Sequence, residues 1–253
     1  MTAGAAVTLD NLQLGFNGQI AANISLTVAP GEVVVFLGPS GCGKSTILRA
    51  LAGLLRPMGG TAAVDGLAVT GNAARCAMVF QEDALFPWRT ALKNVQYPLK
   101  LRGVRGKALK RSATARLEQV GLGAYLHHLP SHLSGGMRQR VQLARTLACE
   151  PRVMLMDEPF GALDAQTRLD MQRLLVSVWE SQKMTILFVT HDVDEALLLA
   201  DRIVLLSHRP ATVADIIPID KPRSPGAQFE EDYQRRRYAI LEFLGQSPSV
   251  SSH

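Results

Sequence analysis

Little in this sequence of 253 residues suits a secreted or membrane-spanning protein. Its three cysteines, Cys42, Cys76 and Cys149, are an odd number at wide, irregular spacing. They form none of the Cys or His pairs of a zinc site, which excludes a disulfide-stapled scaffold and points to a reducing compartment. No window approaches the roughly 18 uninterrupted apolar residues of a membrane span, and Met1 to Asp10 lacks a basic segment followed by an apolar stretch, so neither a transmembrane helix nor a secretory signal is expected. If the chain works at a membrane, another subunit must do the spanning. Positive charge is in only small excess. Lys+Arg 27 against Asp+Glu 22 leaves +5, too weak and too dispersed to argue nucleic-acid binding. No internal repeat is found. What the sequence does have is the composition of an ordinary globular domain, 47% hydrophobic and 19% charged, which removes wholesale disorder and collagen.

Short β-type runs open the chain: Val7–Leu14, Ile24–Val28 and, after Ala29-Pro30-Gly31-Glu32, the continuous apolar run Val33–Leu37. From Lys44 to Leu55 apolar residues recur at helical spacing, and Pro57 with Gly59-Gly60 marks the stop. From about Glu82 to Ala148 the composition shifts towards Leu, Arg, Lys and Ala, with helical patterns at 105–120 and 137–148, as an inserted helical subdomain reads. Apolar runs at Val153–Met156, Ile186–Val189 and Ile203–Leu206 then alternate with helical patterns at 165–180 and 192–200. That is the pattern of a parallel sheet with crossover helices, an α/β architecture. Beyond Pro218 an amphipathic helix is expected over Glu230–Leu244.

Gly38-Pro39-Ser40-Gly41-Cys42-Gly43-Lys44-Ser45 satisfies the P-loop pattern between a predicted strand and a predicted helix. The glycines let backbone amides turn inward around phosphate oxygens, the helix start adds its positive dipole end, Lys44 can reach the β- and γ-phosphates, and Ser45 can ligate Mg²⁺. ATP or GTP is the implied ligand; a plain glycine turn is the alternative. Cys42 reads as a small filler. Val153–Met156 runs into Asp157-Glu158, and strand ends are where a parallel sheet binds ligands. Asp157 suits a direct or water-mediated Mg²⁺ contact and Glu158 suits polarising an attacking water, unless the pair only caps the turn before Pro159. His191 ends a third strand on the same rim, where it either bonds the γ-phosphate or serves the fold. Leu133-Ser134-Gly135-Gly136-Met137 opens another helix with a serine and two glycines, a second ready anion site. A two-fold dimer would let it act on a neighbour's nucleotide.

Taken together, the P-loop, Gln81 after Val79-Phe80, Leu133-Ser134-Gly135-Gly136, Val153–Glu158, Ala162-Leu163-Asp164 and His191 resemble, in order and spacing, the nucleotide-binding subunit of ATP-binding cassette (ABC) transporters. The resemblance runs from about Val7 to Pro210. It implies a P-loop NTPase core with an antiparallel β subdomain and an inserted helical subdomain. The domain expected is single, over 1–245, with residues 1–81 and 149–217 as nucleotide-binding core, 82–148 as helical subdomain, 218–245 as C-terminal extension and 246–253 as polar tail.

The resemblance also implies roles. Phe16 matches the aromatic that stacks on adenine, although Tyr is usual there and a strand aromatic is the alternative. Gly38 to Thr46 match the phosphate loop. Gln81 matches the residue that senses Mg²⁺ and the attacking water. Ser134, Gly135 and Gly136 match the element that clamps the partner's γ-phosphate, and Asp164 matches the loop crossing the dimer interface. Met137 departs from the family's usual Gln. Phe80–Arg89, Gly135–Arg140 and Thr190–Ala196 look like the importer branch for nitrate, sulfonate, taurine and related solutes.

The implied partners are a second copy in an ATP-sandwich dimer, permease subunits and, indirectly, a periplasmic or extracellular solute-binding protein. The location implied is the cytoplasmic face of the inner membrane, peripheral through the permease. Phe86, Pro87 and Trp88 are candidates for the wall of a groove taking a permease helix, or simply pack the subdomain. The basic run Arg102, Arg105, Lys107, Lys110, Arg111 and Arg116, and Arg235-Arg236-Arg237 in the tail, read as solvated faces near an anionic membrane surface. The alternative function is a soluble ABC ATPase in macromolecular assembly or repair, without a permease.

Overall fold

The computed structural model describes residues 4–16, 19–71, 76–82, 84–220 and 231–246. Along the chain run β1 (Val7–Phe16), β2 (Gln19–Val28), β3 (Val33–Leu37), α1 (Lys44–Leu51), β4 (Gly59–Val64), β5 (Leu67–Ala68) and β6 (Cys76–Val79). Then come α2 (Ala91–Leu101), α3 (Gly106–Gln119) and α4 (Gly135–Leu147), followed by β7 (Val153–Asp157), α5 (Ala165–Gln182), β8 (Thr185–Val189), α6 (Val193–Leu199), β9 (Arg202–Leu206), β10 (Val213–Pro218) and α7 (Glu231–Phe243).

Two sheets result. The antiparallel one has the order β2-β1-β4-β5, and the larger has the order β10-β9-β3-β8-β7-β6. Within the second, β9, β3, β8, β7 and β6 run parallel, with β10 antiparallel on the edge. Its central strands read as unbroken apolar runs because both faces are covered. Side chains alternate between two cores at period two: Val33, Val35 and Leu37 pack with Met154, Met156, Ile186 and Phe188 on the side of α4, α5 and α6. Val34 and Phe36 pack with Leu155, Leu187 and Val189 against α1 and the antiparallel sheet. A polar residue anywhere in β3 would therefore sit in one core or the other, forfeiting roughly 1.5–3 kcal/mol of burial.

Between β6 and β7 lie the helices α2, α3 and α4. Helix α2 is not among the helical patterns read from the sequence, and it carries Pro98 inside it. It forms nonetheless because Thr90 caps it, accepting from the Lys93 amide at 3.3 Å. In its first turns the wholly buried Asn94 takes the Phe86 amide on its carbonyl and donates to the carbonyls of Phe86, Arg89 and Thr90. A side chain thus supplies ties to the loop just before the helix that periodicity does not reveal.

Helix α1 stops at Leu51, short of the expected Leu55. Gly53 turns the chain at φ 72°, and the amides of Leu54 and Leu55 fold back onto the Arg49 carbonyl. In the tail, α7 docks rather than projecting: Ile240 is fully buried and Leu241 and Leu244 lean on the same core. Arg236 pairs with Asp232 and Asp220, and Arg237 with Asp194. Arg102 and Arg116 pair with Glu150. These basic stretches therefore join elements together as well as facing solvent. Among the described residues no helix is long and apolar enough to cross a membrane.

Candidate functional site

The chain leaves β3 at Leu37 through Gly38, where a Cβ would lie 3.0 Å from both Cβ and the backbone oxygen of Leu206. A side chain at this point would push Leu206 back by a few tenths of an ångström, so glycine suits the close approach of β3 and β9. The loop then turns through left-handed backbone at Gly41 (φ 74°) and Gly43 (φ 113°), the second being the residue before the first turn of α1. With no side chain there to cap the helix, its leading amides are left for an anion. Cys42 is buried and its amide bonds the Pro39 carbonyl at 3.3 Å, while Ser40 and Gly41 form the exposed tip.

Lys44 is 7% exposed, yet its ammonium is satisfied: Nζ donates to the carbonyls of Gly38 at 2.8 Å and Pro39 at 3.0 Å. The cation is stored across its own loop, next to where a phosphate would be cradled. The following Ser45 donates Oγ–H to Oδ1 of Asp157 at 2.7 Å, and Thr46 continues the helix half-buried. Asp157 ends β7 almost wholly buried, and burial pushes its carboxyl up, opposed by the Ser45 hydrogen bond.

Glu158 turns out of the strand at φ 43°, unusual for a residue with a side chain. Its amide is tied to the Val189 carbonyl at 2.9 Å. Oε2 of Glu158 lies 3.0 Å from Nδ1 of His191. Because β8 lies between β3 and β7, the carboxyl ends of these three strands bring the glycine loop, Asp157, Glu158 and His191 to one rim. Glu158 is largely covered and His191 open to solvent, so the rim has a fixed acid and an accessible imidazole.

Gln81 is exposed just beyond β6, and the backbone on either side of it is held from the helical side. Gln142 of α4 donates Nε2–H to the carbonyls of Phe80 at 3.3 Å and Glu82 at 3.4 Å. Arg145 of the same helix donates to the Ala84 carbonyl at 2.6 Å. Beyond it Arg89 stacks over Phe86 and Tyr97, with Trp88 72% exposed beside them. Neither Gln142 nor Arg145 is legible from the sequence, since both lie in an amphipathic helix whose other residues look equally suited to the task.

The second helix start is built differently. Ser134 caps α4 by accepting the Met137 amide at 3.3 Å. Asp164 caps α5 by accepting the Thr167 amide at 3.0 Å and its hydroxyl at 2.7 Å, bonds that hold its carboxyl below the usual range. A Cβ on Gly136 would meet Thr167 Cγ2 at 2.3 Å, whereas Gly135 has room, with Leu163 Cδ2 at 3.9 Å. The structure thus joins Ser134, Gly135 and Gly136 to the 163–167 segment, and gives Gly136 a packing reason that the pattern alone did not contain. The side chain of Phe16 lies outside the described residues.

A glycine loop feeding a helix, with its serine bonded to a strand-end acid, defines the P-loop nucleoside triphosphatases. The ABC transporter family profile matches residues 21–161. Over 249 residues, 96% of this chain and 92% of the relative, it is 45% identical to a nitrate import ATP-binding protein of Synechocystis sp.. Over 198 residues, 78% of each, it is 45% identical to a taurine import ATP-binding protein of Yersinia pestis. A dimeric ATP-binding cassette in a post-hydrolysis state bound to ADP and Pi matches with a TM-score of 0.74 at 31% identity, covering 85% of this chain and 99% of that one. The chain belongs to the ABC transporter family, as one of its ATPase subunits.

Proposed function

We propose that this chain hydrolyses ATP to ADP and phosphate to power import of a small solute of the nitrate, sulfonate or taurine class. It would do so as an ATP-sandwich dimer seated on permease subunits at the cytoplasmic face of the membrane. The observation that carries the ATPase half is the rim itself, where Ser45, Asp157, Glu158 and His191 meet beside a helix start with uncapped amides. The printed functions of the nitrate and taurine relatives support the import half.

Phosphate oxygens enter the loop of Gly38 to Thr46, and Lys44 exchanges its bonds to the Gly38 and Pro39 carbonyls for the β- and γ-oxygens, which are stronger, charged acceptors. Ser45 and Asp157 are both oxygen donors, already 2.7 Å apart, a set that fits a hard divalent ion. Mg²⁺ held there would neutralise charge on the β- and γ-phosphates. Glu158 accepts from the attacking water and orients it for in-line displacement, while His191 bonds the transferring phosphoryl and holds Glu158 in place. Gln81, on backbone held by α4, reports occupancy of the site to the helical side. Phe16 stacks on the base. Ser134, Gly135 and Gly136 close on the γ-phosphate of the partner copy, with Asp164 at the shared interface, and the matching dimeric cassette supports this arrangement.

The exposed Trp88, with the half-buried Phe86 and Arg89 packed against one another next to it, forms the surface through which closure would reach a permease helix. A solute-binding protein would deliver cargo on the other side. Co-purification in detergent with the products of the neighbouring genes tests the reading. ATPase activity stimulated by a loaded binding protein supports import, and capture of cytosolic partners alone overturns the transport half in favour of an assembly ATPase.

A further inference from the structure

The histidine of the rim and the Asp164 loop are joined by one side chain. Arg168 lies in the first turn of α5, its amide bonded to the Asp164 carbonyl at 2.9 Å. Its guanidinium forks: Nη2 donates to the Leu163 carbonyl at 3.1 Å, and Nη1 to Oδ2 of Asp192 at 3.2 Å. Its Nε is buried and bonds nothing among the described residues, so the two terminal nitrogens alone hold the group. Asp192 directly follows His191, and its other oxygen, Oδ1, caps α6 by accepting the Glu195 amide at 3.1 Å.

One turn further along the same face of α5, Gln172 donates to Oε1 of the buried Glu195 at 3.1 Å. The start of α6, and with it His191, is thus fastened to α5 at two points a turn apart. The first of these is shared with the backbone carbonyl next to Asp164.

We infer that Arg168 is a positioning residue for the hydrolytic site: it sets His191 against Glu158 according to where the 163–164 loop stands. The inference rests on the proposed roles of Glu158 and His191. A planar fork with one arm on each loop transmits displacement, whereas two separate contacts would each relax alone. When a second copy engages Asp164, the carbonyl of Leu163 moves with it, Arg168 follows, and Asp192 carries the imidazole. Turnover is thereby made to depend on the dimer contact without Arg168 touching the nucleotide. The energetic content is a coupling between two loops, which a double-mutant cycle measures.

The test uses the full-length chain with its steady-state ATPase, fluorescent-nucleotide affinity and melting temperature, comparing Arg168→Ala, Arg168→Lys, Asp192→Asn and the Ala/Asn double variant. Asn retains the helix cap and loses the charge, which keeps the test available if Arg168→Ala folds poorly. Arg168→Ala is expected to lower kcat about tenfold with KM for ATP and nucleotide affinity within about twofold. Arg168→Lys should recover it in part, as it restores the charge and not the fork. Asp192→Asn should cost little further once Arg168 is gone. Unchanged kcat in Arg168→Ala, where Glu158→Gln abolishes turnover, overturns the inference and leaves the catalytic reading standing. A loss of kcat that tracks loss of melting temperature and nucleotide affinity also overturns it, as a purely structural role. Full turnover in Glu158→Gln would remove the catalytic reading and this inference with it.

Discussion

Nδ1 of His191 stands 3.0 Å from Oε2 of Glu158, and Glu158 reaches that position through left-handed backbone at φ 43°. A residue with a Cβ is held there at some conformational cost, offset by the bond from its amide to the Val189 carbonyl. The strand end is thus shaped to aim one acid at one histidine. Glu158→Gln preserves this shape and removes the proton acceptor. It should retain ATP binding, lose about 10²–10⁴-fold in phosphate release, and accumulate as an ATP-bound dimer by light scattering. Undiminished phosphate release would remove Glu158 as the acceptor.

The Ser45–Asp157 pair predicts a stability effect separable from chemistry. Ser45→Ala withdraws the hydroxyl donor from a carboxylate that is only 5% exposed. The nucleotide-free chain should lose about 1–3 kcal/mol, read by denaturant titration. The same variant should need more Mg²⁺ for ATPase activity.

At Gly136 packing and function separate by rescue. Gly136→Ala drives a methyl into Thr167 Cγ2 and should cost about 1–3 kcal/mol. Adding Thr167→Ser removes that carbon, keeps the hydroxyl that bonds Asp164, and should restore the melting temperature. If stability returns without ATPase activity, the glycine also serves the nucleotide of the partner copy.

Ser134→Arg fills the same helix start with bulk and charge. ATP binding by the monomer should be unaffected, while ATP-dependent dimers vanish from light scattering. Normal dimer formation would count against the sandwich.

Glu195 predicts the pH dependence. Burial raises its carboxyl above the usual range and the Asp192 charge adds to this, against the hydrogen bonds from Thr190 and Gln172 and the charge of Arg168. The folded chain therefore holds this proton more tightly than the unfolded chain does. The stability it confers is full below the ordinary carboxylate pKa and is lost as pH rises through the folded value. Glu195→Gln should accordingly melt above the native chain at neutral pH, the gap closing as pH is lowered towards about 4 in a differential scanning series.

Much of this protein is written locally. Val33–Leu37 reads as a buried strand and is one to the residue, because a strand covered on both faces has no polar positions to blur its ends. The P-loop glycines and the strand-end Asp157-Glu158 are legible for a related reason: phosphate binding requires particular residue types at fixed spacing along a single stretch of chain. The sequence by itself also determined the α/β class, through apolar runs alternating with helical periods.

Tertiary structure decided what depends on distant partners. Helix α2 survives Pro98 with Leu92, Val95 and Leu99 buried in the core it shares with α3 and α4. Helix α7 is anchored by Ile240 and the Arg237–Asp194 pair. Gly136 owes its place to Thr167, and Arg168, held on the Leu163 carbonyl, reaches Asp192 across 24 residues of sequence. Such contacts carry no local pattern. A hydrogen bond or a van der Waals contact between elements depends on where the fold sets each backbone, and only the packed chain specifies that.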